Sequence, residues 1–420
     1  MNNNIIKEND DDLYSYQSSK NYSSTSNSSS SSLNSSVLST NILLDGLNID
    51  KYNIITMIGK GSYSYIWLGY NIITHTFNAI KVHCHDYYND GIKEINILNK
   101  IKYNSPDEII KIHEYTDIII NENKYLISSY DIHYSDLYKI LTMTAYKNGF
   151  EICIVTNIMK QLNKSILFLH NEMNIIHGDI KTDNILVKGI TNKFKYICDK
   201  YKELYDKNNS HENIIEIINI QALNDIEDDE DDNINFDIND IKITLCDFGF
   251  CNTDGEYNNY LFGTTYYEAP EIILNGICEK PVDIWALGCT FYELLTGKIL
   301  FGKIDDIIVD SNEEEKDSDN ESDKCDIRLD KLYHLQLIND ITTGFTKEFL
   351  NSTKIYNIYF ENYEIQNYNK GDNFLIENIN KLQLDNDIKI SIIAILQDIL
   401  IIDNKKRVNI DYISNYHLFK

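Results

Sequence analysis

The sequence is short of the residues that usually punctuate or staple a chain. Only three of its 420 residues are proline, and arginine occurs only at Arg328 and Arg407. Asn, Ile, Lys, Tyr and Asp abound instead, the bias of an AT-rich coding sequence, so Asn or Tyr richness alone is no sign of chemistry. Cations are outnumbered, 38 against 65 acids, which leaves a net charge of −27. That balance disfavours nonspecific binding to nucleic acid or anionic membranes and suits a basic partner. Its plainer reading is solubility with a few acidic loops. The eight cysteines contain no CxxC pair, which argues against a disulfide framework and a zinc site. His83-Cys84-His85 sets two histidines on one face of a strand, where surface side chains are expected rather than metal ligands. Long hydrophobic runs are also missing. The most apolar stretch, Ile390–Ile402, is too short for a membrane span and is broken by Gln397 and Asp398, so it reads as a core helix. Met1–Asp12 is polar and acidic, unlike a signal peptide. Together these absences predict a soluble, intracellular, cytoplasmic protein. Lys405-Lys406-Arg407, the one basic cluster that suggests nuclear import, is expected at the start of the last helix.

What is present divides the chain unevenly. Residues 1–48 are dominated by Ser and Asn, with too little apolar content to offset ordering entropy, and read as a disordered tail. Tyr52–Ile58, Ser64–Tyr70 and Thr76–Val82 read as three antiparallel strands. Gly91–Ile101 reads as a helix, with Ile92, Ile95, Leu98 and Ile101 at spacings of three. Ile110–Tyr115 and Tyr125–Ser129 read as two further strands, completing a small lobe over residues 49–131. From residue 132 onward helices dominate, the clearest at Phe150–His170, Val282–Thr296 and Ile388–Ile402. Two acidic insertions interrupt this larger lobe at about residues 189–240 and 303–328, each with a run of nine carboxylates. Insertions of this length are expected to be solvated loops or functional segments. The fold class expected is α+β: a five-stranded antiparallel sheet with one helix, then a larger, mainly helical lobe.

Chemistry concentrates in Ile175–Val187, IIHGDIKTDNILV, where Asp179, Lys181 and Asn184 share a short loop. An acid, a cation and an amide so placed can handle a hydroxyl, a phosphate and a magnesium ion together. Four partners stand in order around it. Ile58-Gly59-Lys60-Gly61-Ser62-Tyr63-Ser64 lies between two strands, where glycines let backbone N–H groups approach phosphates. Ala79-Ile80-Lys81 puts a lysine on the third strand, and Glu94 in the following helix can pair with it. Asp247-Phe248-Gly249 follows the strand Ile241–Leu245, and Ala269-Pro270-Glu271 closes the series. Each piece alone also fits a structural role, since turn glycines and buried Lys–Glu pairs are common.

In this order the motifs resemble those of the eukaryotic-type protein kinases over about residues 49–420. The resemblance implies a bilobal fold, ATP and Mg²⁺ as cofactors, and a protein substrate. Asp179 then corresponds to the catalytic aspartate, with Lys181 beside it in the serine/threonine pattern, and Asn184 and Asp247 to the metal ligands. Ile58, Gly59, Lys60, Gly61, Ser62, Tyr63 and Ser64 would cover the nucleotide phosphates, which Lys81, paired with Glu94, would hold. Ile66, Ala79 and Leu186 would sandwich the adenine, and Leu98, His177 and Phe248 would stack. Thr264 is expected to bond Asp179 and Lys181, Asp283 to brace the loop backbone, and Glu271 to pair with Arg407. Within the family the chain resembles the SR-protein kinase group of the CMGC kinases. Ser64 stands where a third glycine is usual, and a long insertion follows Ile185–Val187. Gly178 replaces the usual arginine of the catalytic loop, which implies activity without activation-segment phosphorylation. Basic or Arg/Ser-rich substrates, a monomer, and no contact with nucleic acid or membrane are expected. The alternative from another class is a catalytically inactive kinase-fold scaffold; the retained Lys81, Asp179, Asn184 and Asp247 speak against it.

Overall fold

Alternating apolar residues after Leu44 build one antiparallel sheet. The computed structural model describes residues 44, 46–61, 63–120, 123–225, 238–253, 264–275, 278–302 and 321–420. Residues 1–43 and 45 of the expected disordered tail, Ser62 and most of both acidic runs lie outside these residues; the end of that tail is instead structured, with Leu44 buried and Asn48 in a strand. The sheet strands are β1 (Asn48–Ile49), β2 (Tyr52–Lys60), β3 (Ser64–Asn71), β4 (Thr76–His83), β5 (Glu114–Ile120) and β6 (Asn123–Tyr130), in the order β1-β2-β3-β4-β6-β5. The short β1 adds a strand to the five expected. The strand expected at Ile110–Tyr115 begins only at Glu114. The apolar residues before it serve another purpose: Ile110 N–H donates to Leu245 O at 3.0 Å, and Leu245 N–H to Glu108 O at 2.8 Å. That run therefore ties the small lobe to the large one.

Helix α1 (Tyr88–Ile101) buries Gly91, Glu94, Ile95, Leu98 and Ile101 along one stripe. Gly91 is required there, because a Cβ would fall 2.7 Å from the His83 ring. The same close approach buries His83, only 4% exposed, contrary to the surface histidine expected. His85 is exposed as expected, and no His/Cys/Asp/Glu cluster fit for a metal occurs among the described residues.

The larger lobe comprises β7 (His133–Asp136), α2 (Leu137–Thr142), α3 (Ile152–Leu167), β8 (Ile175–Ile176), β9 (Ile185–Lys188), α4 (Asn192–Asp206), α5 (His211–Asp225), β10 (Ile243–Leu245), β11 (Asn252–Thr253), α6 (Pro270–Asn275), α7 (Pro281–Thr296), α8 (Glu321–Ile341), α9 (Lys347–Asn351), β12 (Phe360–Glu361), β13 (Glu364–Ile365), α10 (Phe374–Lys381), α11 (Asn386–Ile399) and α12 (Ile410–Ser414). Every residue of α7 from Val282 to Thr296 is buried, the mark of a helix at the centre of a core. α3 ends in a π-helical turn, Phe168–Glu172. Lys405-Lys406-Arg407 lies in the turn before α12 rather than in the helix. Among the described residues no helix is long and apolar enough to cross a membrane.

The first insertion departs most from expectation. Much of it forms α4 and α5, and Thr191 caps α4 by accepting from Phe194 N–H at 3.1 Å. Ile197, Cys198 and Tyr201 of α4 and Ile214, Ile215 and Ile218 of α5 pack with Ile55, Leu68 and Tyr70 of the small-lobe sheet. Tyr201 anchors the contact: its hydroxyl accepts from Asn53 Nδ2 at 2.9 Å and lies 2.9 Å from His211 Nδ1. An amphipathic stripe, not a solvated loop, explains this half of the insertion. Residues 226–237, most of the acidic run, lie outside the described chain.

Candidate active site

The β3–β4 register sets Ile66 opposite Lys81, close along β3 to the turn that joins β2 and β3. Gly61 N–H donates to Ser64 O at 2.8 Å and closes that turn. Lys60 is exposed and Ser64 buried, while Tyr63 is exposed and packs its ring 4.4 Å from Tyr87. Ile58 and Ile66 are half-buried against the core, Ala79 is buried on β4, and Leu186 is half-buried on β9.

Lys81 Nζ donates to both oxygens of Glu94, at 2.9 and 2.8 Å, and lies 3.8 Å from Asp247 Oδ1. Burial alone would push the ammonium down, but the charges of Glu94 and Asp247 outweigh it and hold Lys81 above its ordinary range. The lysine side chain keeps 15% exposure and that of Asp247 41%, so both reach an open site. Burial opposes ionisation of Asp247, but Lys81 prevails and keeps its carboxyl below the usual value. Its backbone is left-handed, φ +62°, a strained conformation that functional positions tend to hold. Neighbouring His83, 3.6 Å from Glu94, is pushed down to about 3, first by burial and then by the charge of Lys81, and stays neutral.

Four groups converge on Asp179. Its Oδ1 accepts from Thr264 N–H at 3.1 Å and from Thr264 Oγ1 at 3.2 Å. Its Oδ2 accepts from Asn184 Nδ2 at 2.8 Å and faces Lys181 Nζ at 3.1 Å. Lys181 also donates to Thr264 Oγ1, closing the triangle expected from sequence. Beneath the loop, Asp283 on α7 accepts from the backbone N–H of His177 and of Gly178, each at 2.8 Å, and pairs with His170 Nε2 at 2.7 Å. Burial would raise Asp283, but the hydrogen bond and charge of His170 win and keep it ionised. Gly178 has φ +81°, and a Cβ there would meet Phe250 O at 3.0 Å. Its glycine thus suits the backbone as well as removing the arginine.

Of the remaining expected contacts, those of Arg407 with Glu271 and of His177 with Phe248 are present. Arg407 meets Glu271 through two bonds of 2.6 and 2.8 Å. The rings of His177 and Phe248 lie 5.0 Å apart, and Leu98 is buried on α1. Sequence reasoning misses His170, whose partner is 113 residues away and leaves no local signal. It also misses Tyr130, a buried tyrosine on β6 that pairs across the sheet with Ala79 and feels the charges of Glu94 and Lys81.

Asn184 and Asp247 suit a magnesium ion by donor chemistry. Asn184 commits its amide N–H₂ to the Asp179 backbone and side chain, each at 2.8 Å, which leaves its oxygen for a ligand. One amide oxygen and one carboxylate make a sparse oxygen set. Magnesium, which retains waters and takes phosphate oxygens, matches it better than cations that need a full protein cage.

The chain matches the protein kinase domain over residues 52–200 and 227–419. It is 26% identical to the serine/threonine-protein kinase L205 of Acanthamoeba polyphaga mimivirus, an alignment covering 60% of this chain and 68% of that protein. It is 25% identical to the serine/threonine-protein kinase dyrk2 of Dictyostelium discoideum, over 60% of this chain and 22% of that one. It is also 25% identical to the dual specificity protein kinase lkh1 of Schizosaccharomyces pombe, over 60% and 32%. The two last relatives are thus matched over a third of their length or less. The match skips residues 201–226, which include all of α5 and the end of α4, so the second helix of the hairpin is added to a family frame that otherwise holds the motifs described. The lysines, carboxylates and amide described above lie within the matched residues, and the chain therefore belongs to the protein kinase domain family, whose members are protein phosphotransferases.

Proposed function

We propose that this chain transfers the γ-phosphoryl group of ATP to serine and threonine hydroxyls of basic protein substrates, as an SR-protein-kinase-like enzyme. The observation that carries the reading is the fixed carboxylate of Asp179. Thr264 holds one oxygen, and Asn184 with Lys181 holds the other. A carboxylate so oriented positions a substrate hydroxyl and accepts its proton as the phosphoryl group leaves ATP. Lys81, kept protonated by Glu94, would hold the α- and β-phosphates under the Gly59–Ser64 turn. Lys181 would steady the γ-phosphate, and its place beside Asp179 favours serine and threonine over tyrosine. Magnesium held by Asn184 and Asp247 would neutralise charge on the phosphates. Ile66, Ala79 and Leu186 would enclose the adenine. The net charge of −27 supports attraction of a basic partner, and Ser64 with the insertion after β9 supports the group assignment.

No lysine or arginine lies between Asp247 and Glu271, and Gly178 removes the loop arginine, so the enzyme is expected to work without activation-segment phosphorylation. One experiment tests both parts. Phosphatase-treated wild type and Asp179→Ala are compared on serine, threonine and tyrosine peptides with radiolabelled ATP. Treated wild type should retain its rate on serine and threonine. Asp179→Ala should bind ATP yet lose about 10²- to 10⁴-fold in turnover. Full turnover in the variant sinks the role of Asp179, and an inert treated enzyme sinks the claim on regulation.

A further inference from the structure

Glu94 holds Lys81 in place, yet its own carboxylate needs donors to stay ionised. Its side chain is only 4% exposed, and burial raises its carboxyl against the charge and hydrogen bonds of Lys81. Lys81 has three donors, and two of them go to the two Glu94 oxygens. One is left for a nucleotide that offers oxygens on two phosphates. Binding both phosphates therefore draws a donor away from Glu94 and leaves a buried carboxylate oxygen short of a partner, which is costly.

His83 is placed to make good that loss. It lies two residues from Lys81 on β4, and so on the same face of the strand. Its ring is pinned beneath α1, where a Cβ on Gly91 would fall 2.7 Å from it, and Glu94 follows Gly91 by about one helical turn. Nε2 then faces Glu94 Oε2 at 3.6 Å. That separation is too long for a hydrogen bond, and among the described residues this buried nitrogen has no hydrogen-bond partner. Burial, and then the charge of Lys81, keep the ring neutral. A neutral imidazole still carries one N–H, and a carboxylate opposite Nε2 draws the proton to that nitrogen. A closure of about 0.6 Å would complete the bond.

We propose that His83 is a positioning residue for nucleotide binding: its Nε2–H takes the Glu94 oxygen that Lys81 releases when the lysine turns to the phosphates. The proposal rests on the reading that Lys81 holds the phosphates of ATP, and adds to that site a residue that never touches the nucleotide. It also accounts for a buried nitrogen that is unpaired while the site is open, a costly arrangement if the ring served packing alone.

The test compares the full chain with His83→Met, which fills the space without a donor, and His83→Gln, which restores a neutral N–H. Each is titrated calorimetrically with ATP, ADP and adenosine in the presence of magnesium, and unfolding midpoints are taken without ligand. His83→Met should bind ATP and ADP about tenfold more weakly than wild type, the lower range of one hydrogen bond to a charged group. It should bind adenosine as wild type does, because adenosine has no phosphate to draw Lys81 from Glu94. Its midpoint without ligand should not fall. His83→Gln should recover ATP binding to within about threefold of wild type. A His83→Met that binds ATP as tightly as wild type overturns the proposal. So does one that loses adenosine and ATP in equal measure, or a His83→Gln no better than His83→Met, since the ring would then serve packing alone. A wild type that binds ATP no better than adenosine overturns the reading of Lys81 as the phosphate holder, and the proposal with it.

Discussion

Two of the buried ion pairs, Arg407–Glu271 and Lys81–Glu94, differ in what they leave unused. Arg407 is fully buried and every one of its five N–H donors is engaged. Two go to Glu271, and the others to the carbonyls of Ile401, Pro281 and Ile402. Its guanidinium also lies 5.0 Å from the Trp285 ring. Lys81 has three donors, of which Glu94 takes two, and it keeps 15% exposure toward an open site with Asp247 at 3.8 Å. A saturated pair can only brace; a pair with spare valence and an open side can act on a ligand. The difference explains why one sits between α6 and the turn before α12, and the other between β4 and α1 at the mouth of the site.

The contrast makes predictions that decrease in size. Arg407→Met should lower unfolding free energy by about 3–5 kcal/mol, because it strands a buried carboxylate. Arg407→Lys should not restore it, since an ammonium cannot reach five acceptors. Urea denaturation measures both, and a loss under about 1 kcal/mol for Arg407→Met would make the pair no better than a surface one. Lys81→Met should cost about 10²- to 10³-fold in kcat/KM, near the effect of losing one preorganised electrostatic donor. Its unfolding midpoint should fall less than that of Arg407→Met, because burial favours the neutral form of the Glu94 left behind and that acid can take up a proton, and the loss should grow as pH rises. A variant that loses as much stability as Arg407→Met would erase the distinction between the pairs.

A third buried acid sharpens it. Glu293 on α7 has no cation partner in hydrogen-bond contact among the described residues; Tyr267 Oη donates to it at 2.6 Å. Burial, partly offset by that bond, raises its carboxyl to about 7. An acid raised in the folded state binds protons that the unfolded chain has released, so its contribution falls as pH rises from about 4.5 to about 7. Glu293→Gln should therefore gain on the order of 1–3 kcal/mol over wild type at pH 8 and nothing at pH 4. Equal effects at both pH values would show that the carboxylate is not buried unpaired. The smallest effect is expected where no charge is involved. Tyr201→Phe removes the hydroxyl that joins Asn53 to His211, and should cost about 1–2 kcal/mol by thermal unfolding with kcat intact.

The contacts of Asn184 and Lys181 with Asp179 were legible because they are local. Asp179, Lys181 and Asn184 share six residues of chain, and their contacts need no knowledge of the fold. Thr264, Asp283 and the Glu271–Arg407 pair were legible only through family resemblance, since they are brought in from far along the chain. The helical hairpin was not. Its stripe of Phe194, Ile197, Tyr201 and Leu204 is diluted by lysines and acids, and the surface that buries it, Ile55 and Tyr70, lies some 130 residues earlier. His83 was misplaced for a similar reason, because its burial is set by the absent side chain of Gly91. The run at Ile110 read as strand because apolar spacing cannot tell a sheet partner from a single cross-link to Leu245. Pattern finds faces; it does not say what lies against them.

Gly178 carries a last consequence. Glycine has the widest freedom of any residue in the unfolded chain, so ordering it costs more than ordering alanine by roughly 0.5–1 kcal/mol. With no backbone preference of its own at that point, the loop is held there by the two N–H groups that donate to Asp283. The order of this loop is in that sense partly a property of α7, so a change at Asp283 that leaves the rest of the helix packed would be read first in the loop around Asp179.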